Sequence, residues 1–89
     1  MKIEKRKTIP LVSAQIRAAR SLLRWNAEDL ANASAVGVAT IRKAEVREGK
    51  TLLRVVNDQA IRRALEEAGV EFIDENGGGP GVRLRRSVG

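Results

Sequence analysis

Arg42 and Lys43 stand side by side in the stretch NAEDLANASAVGVATIRKAE, Asn26 to Glu45, and are its strongest hydrogen-bond donors. A guanidinium and an ammonium can donate to anions and carbonyl oxygens, but neither moves protons readily near neutral pH. The chain offers little else for covalent chemistry. It has no His and no Cys, which removes the usual general bases, thiol nucleophiles and zinc sites. Gly77 to Gly81 lacks the Lys and Ser/Thr that follow a phosphate-binding loop, and it leads into a strand pattern rather than a helix. Glu66, Glu67, Glu71, Asp74 and Glu75 read as a solvated acidic face. No catalytic residue, no metal ligand and no cofactor is expected. The chemistry on offer is that of binding, not of an enzyme.

Two short helices position those donors. Asn26 is a good N-cap and Asp29, three residues on, completes a short capping box, so a helix starts at Ala27 with Leu30 and Ala31 inward. The turn Ser34-Ala35-Val36-Gly37 holds one large apolar residue among small ones. A second helix runs from about Val38, with Ile41 and Ala44 facing in at i, i+3 spacing. Leu30, Val36 and Ile41 are the residues this corner buries. Val38, Ala39, Arg42 and Lys43 are left pointing out.

The flanking segments supply the rest of the body. Ser13 caps a helix reaching Leu23 or Arg24, with Ile16, Ala19 and Leu23 as its apolar stripe and Leu22 alongside. Trp25, just before the Asn26 cap, reads as a core staple. After Glu45, VREGKTLLRVV opens as a loop at Gly49. Leu52, Leu53, Val55 and Val56 are too apolar for a free loop, so some must return to the core. Asn57 then caps the helix DQAIRRALEEAG, which buries Ile61, Ala64, Leu65 and Ala68 and stops at Gly69. The tail VEFIDENGGGPGVRLRR reads as a β-hairpin around a glycine-rich loop, with a disordered tail as the alternative. The organisation expected is a basic N-terminal arm over 1–12, a helical domain over 13–69, and over 70–86 a hairpin that is the first choice for a dimer surface. The arm has two open readings: a basic strap along a polyanion, or an edge strand added to the hairpin.

Asn26 to Glu45 resembles the helix-turn-helix of phage-repressor (XRE, Cro-like) DNA-binding proteins. ARSLLRWNAEDLA before and into it and AIRRALEEAGVEFI after it extend the likeness over roughly Gln15 to Ile73. The fold expected is mainly α: a four- to five-helix phage-repressor-like domain with a C-terminal β-hairpin. The resemblance implies a first helix across the DNA backbone and a second in the major groove. It puts Val38 and Ala39 where the family reads base edges; being apolar, they suit thymine methyls. Arg42 and Lys43 supply donors, with guanine as the expected target. Asn26, Thr40, Arg47 and Lys50 are the expected backbone contacts. The resemblance also implies an ion pair between Arg20 and Glu45. In two places the chain departs from the family, which usually has Gly at the position of Ala35 and a capping Ser or Thr near Gly37.

Charge and composition agree with a duplex partner. The 89 residues carry a net charge of +6 and few aromatics, one Trp and one Phe, so stacking platforms for single strands are not available. Basic blocks bracket the two-helix stretch, whereas Ala64 to Asn76 holds five acids and no base. There is no run of about 18 apolar residues, hence no expected membrane span. The absence of Cys suits a reducing cytoplasm, and a DNA partner would put the protein on the nucleoid. The function expected is a homodimeric repressor reading a palindromic operator in double-stranded DNA. An antitoxin-type autoregulator, or a protein-binding module that sequesters another regulator, stands as the alternative.

Overall fold

The computed structural model describes residues 10–85. In chain order these form α1 (Ser13–Leu23), α2 (Ala27–Ser34), α3 (Val38–Val46), α4 (Val55–Glu67), β1 (Val70–Ile73) and β2 (Gly81–Leu84). The fold is mainly helical with one small antiparallel sheet, and the described helices number four. None of them is long and apolar enough to cross a membrane. Met1 to Ile9, most of the expected arm, and Arg86, at the end of the expected hairpin segment, lie outside the described residues.

Apolar side chains from almost every element meet at the centre. Leu11, Ile16, Leu30, Ile41, Ile61, Leu65 and Val70 have no exposed surface. At about 1.5–3 kcal/mol for each fully buried side chain of this kind, they outweigh any single polar contact. Leu23, Trp25, Leu53 and Phe72 pack around their edge, while Leu22 faces outward. Leu11 and Val12 join this body rather than ending a free arm. The Leu11 N–H donates to Asp58 Oδ2 at 3.1 Å, its carbonyl accepts from the Thr51 N–H at 3.2 Å, and Val12 pairs with Lys50 as an isolated antiparallel bridge.

Two expected caps give way to tertiary partners. The N-cap of α1 is Val12, not Ser13: the Gln15 Oε1 accepts from the Val12 N–H at 3.0 Å, and the buried Ser13 hydroxyl donates instead to the Ala44 carbonyl of α3. At α4 the N-cap is Arg54, without a side-chain bond, and Asn57 lies inside the helix. The chain turns helical early because Asp58, buried in the first turn, takes up both Leu11 and Thr51. The Asn26–Asp29 box at α2 is present in both directions, at 2.7 and 2.9 Å.

Gln15 also secures the hairpin. Its Nε2 donates to the carbonyls of Ile73 at 3.3 Å and Gly81 at 3.1 Å, the residues paired where the two strands meet the loop. With its Oε1 on Val12, this buried amide is satisfied on both atoms. The strands pair Val70 with Leu84 and Phe72 with Val82, and the Glu71 and Arg83 side chains meet across them at 2.7 Å. That bond to Arg83 holds the Glu71 carboxyl below its ordinary range. The acidic segment is thus internally compensated: Arg62 reaches Glu66 and Asp74 and lies 4.8 Å over the Phe72 ring, and Glu75 accepts from the loop N–H groups of Gly77 and Gly79.

Candidate nucleic-acid interface

α3 is the element with the most exposed cationic chemistry, and α1 fixes its C-terminal end. The last carbonyls of a helix have no partner within it. Here the Ser13 hydroxyl donates to the Ala44 carbonyl and Arg17 Nη1 to the Glu45 carbonyl. Arg20 then grips the Glu45 carboxylate with two parallel bonds, Nε to Oε2 and Nη2 to Oε1, each 2.7 Å, and gives Nη1 to the Trp25 carbonyl at 2.9 Å. The bond to Glu45 raises the Arg20 pKa above its ordinary value, against burial, which works the other way. With 22% and 9% of the two side chains exposed, water competes little for this pair. The partners of Arg20 explain how an arginine can sit beside the Ile16–Ala19 stripe.

On the other side of α3 the expected contact residues separate into groups. Ala39, Arg42 and Lys43 are exposed, but Val38 is half-buried and packs against the core, so it does not simply point outward. Thr40 is half-buried on the wall of an open groove of about 600 Å³ between α3 and the start of α4, which Lys43, Val46, Arg47, Leu52 and Arg54 also line. Arg47 and Lys50 are exposed in the following loop, whose backbone is pinned by bonds from Ser13 N–H to the Gly49 carbonyl and from Thr51 N–H to Leu11. Asn26 is exposed, yet its Oδ1 is committed to capping Asp29, which leaves its amide NH₂ as the available donor. Among the described residues Lys43, Arg47, Lys50 and Arg54 make no ion pair.

Two residues of this face carry no label from sequence. Val46 is 80% exposed at the end of α3. Its signal was available: it falls three after Lys43 and seven after Ala39, on the same stripe. Glu28 in the first turn of α2 bonds Arg42 Nη2 at 3.1 Å, and nothing in local spacing announces that contact. Of the apolar loop residues expected to return to the core, only Leu53 does so. Leu52, Val55 and Val56 stay exposed, and Leu52 holds a left-handed φ of 59°.

The turn between α2 and α3 also stores strain. Ala35 closes α2 at φ 62° and ψ 21°, with its N–H on the Ala31 carbonyl at 2.8 Å. An L-residue with a Cβ pays about 1–2 kcal/mol there, part of which glycine gives back through its freer unfolded chain. Gly37, where the sequence does have glycine, has an ordinary φ of −59° and caps α3 with no side chain. Ala35→Gly is therefore expected to stabilise the domain by about 0.5–1 kcal/mol and to raise Tm by several degrees in a thermal melt followed by circular dichroism. An unchanged or lower Tm would mean that the left-handed turn is not where strain resides.

Neither models of known protein families nor curated proteins match this chain.

Proposed function

We propose that this chain is a sequence-specific regulator that binds double-stranded DNA, using α2 and α3 as a helix-turn-helix of the phage-repressor (XRE, Cro-like) kind. One observation carries the reading. The exposed stripe of α3 leads directly into Lys43, Arg47, Lys50 and Arg54, which make no ion pair among the described residues, not even with Glu48 of the same loop, while Glu66, Glu67, Glu71, Asp74 and Glu75 gather around the hairpin, several on arginines of their own. Such a face suits phosphates around a groove-reading helix. In this reading Ala39 and Val46 touch base edges through apolar contact, Lys43 and Arg42 donate to guanine, and Arg47, Lys50, Thr40 and Asn26 hold the backbone. Two copies, with their α3 helices about 34 Å apart, would read a palindromic operator. A dimer on an operator that overlaps a promoter excludes polymerase, which is repression by occupancy.

The test is footprinting on DNA upstream of the gene, with affinity measured against salt. Lys43→Ala is expected to cost roughly 1–3 kcal/mol and to relax preference at one base pair. Arg47→Ala is expected to weaken all sequences alike and to reduce the salt slope by about 1. If Lys43→Ala left sequence preference intact, the reading face would be assigned wrongly.

A second reading has its own support. Val46 and Leu52 line the groove between α3 and the start of α4 and are exposed, as are Val55 and Val56; apolar surface of this kind offers phosphates nothing and can mark a protein contact. A module that sequesters another regulator would bind DNA weakly, without regard to Arg42 and Lys43, and would form a tight heterocomplex.

A further inference from the structure

We infer that Glu28 is a specificity-determining residue, whose carboxylate keeps the Arg42 guanidinium off phosphates and yields it at base pairs able to accept it. The inference rests on the DNA-binding reading above. Arg42 is exposed and lies three residues after the exposed Ala39, so it shares the outward stripe of α3. Its Nη2 meets Glu28 Oε2 at 3.1 Å, with the two side chains 58% and 60% exposed. Glu28 is not needed as a cap for α2, because Asp29 makes both reciprocal bonds with Asn26. It is thus an exposed carboxylate paired with a donor of the outward stripe of α3, a contact that neither Asp29 nor Glu48 makes among the described residues.

An exposed pair of this kind is weak and easily exchanged. A lone arginine on that face would bind the phosphate of any sequence. With Glu28 beside it, a phosphate that takes Arg42 must approach a carboxylate and leave it without its cation. A G·C pair imposes no such penalty: guanine O6 and N7 accept from the guanidinium, while the amino group of a cytosine can donate to Glu28. The pair therefore suppresses binding to random sequence more than binding to a site rich in the right acceptors.

The experiment uses the full chain, with dissociation constants measured against NaCl for two duplexes of equal length: the footprinted site and a random sequence. Glu28→Gln is expected to tighten the random duplex about two- to fivefold and to change the footprinted site less, so that the selectivity ratio falls. The salt slope on the random duplex should steepen by about 1 as Arg42 takes a phosphate. In an Arg42→Gln background the same substitution should leave the ratio unaltered. Selective binding with an unchanged ratio in Glu28→Gln overturns the inference and leaves the DNA-binding reading standing. An equal change with and without Arg42 also overturns it, since Glu28 would then act only as bulk charge. A wild-type chain that binds neither duplex overturns both.

Discussion

Arg20→Ala is expected to destabilise the domain by about 3–5 kcal/mol, the usual loss when one partner of a buried ion pair is removed. The substitution leaves the Glu45 carboxylate, 9% exposed, without either of its 2.7 Å bonds, and it frees the Trp25 carbonyl as well. Against a typical total of 5–15 kcal/mol for a domain, with small domains near the lower end, the variant should be close to its unfolding midpoint at physiological temperature. Urea unfolding is the direct measurement: the midpoint should fall sharply with little change in slope. Arg20→Lys should recover only part of the loss, because an ammonium cannot present two parallel donors to Glu45 and a third to Trp25. The pair Arg20→Met with Glu45→Leu should be far milder than either single change, since no charge is then left buried. If Arg20→Ala shifted the midpoint by less than about 1 kcal/mol, the view that α1 fixes α3 through this pair would fail.

Asp58→Ala ranks second, at roughly 2–4 kcal/mol, because two buried donors lose their acceptor together. The Leu11 N–H loses Oδ2 and the Thr51 hydroxyl loses Oδ1, in a site where Asp58 and Thr51 are 4% exposed and Leu11 not at all. Asp58→Asn should cost much less, because an amide oxygen can still accept from Leu11 while its NH₂ turns toward the Thr51 oxygen. Hydrogen exchange distinguishes the site from global unfolding. The Leu11 amide should exchange much faster in Asp58→Ala relative to the amides of α4, and should stay protected in Asp58→Asn. Equal acceleration everywhere would show that Asp58 serves only overall stability, not the local seam between the N-terminal segment and α4.

These two residues also mark where the sequence is easy to read and where it is not. The Asn26–Asp29 box is legible because both partners sit within one turn, and α3 is legible through Ile41 and Ala44 at helical spacing. The hairpin is legible from the glycine-rich loop between two short alternating runs. The Arg20–Glu45 contact spans 25 residues, and a family resemblance suggests it where periodicity alone would not. Ser13 and Asn57 have the chemistry of caps, and local preference favours them as such. Long-range bonds decide otherwise: Ser13 serves the Ala44 carbonyl, 31 residues away, and Asp58 draws the start of α4 back to Arg54. At the candidate site, the exposure of Arg42, Lys43, Arg47 and Lys50 follows from spacing and loop composition. The bond from Glu28 to Arg42 does not, because it depends on how α2 and α3 cross.

The Gln15 clasp has a consequence in time. It joins residue 15 to carbonyls 58 and 66 positions later. A ribosome releases this chain from its amino end at about 5–20 residues per second, so α1 leaves the tunnel seconds before its acceptors are made. An interrupted product would carry α2 and α3 complete, yet lack the strands that seat α1, the helix that in turn grips the end of α3. A chain that carries both strands has all the acceptors that seat Gln15, and through α1 the bonds that hold the end of α3.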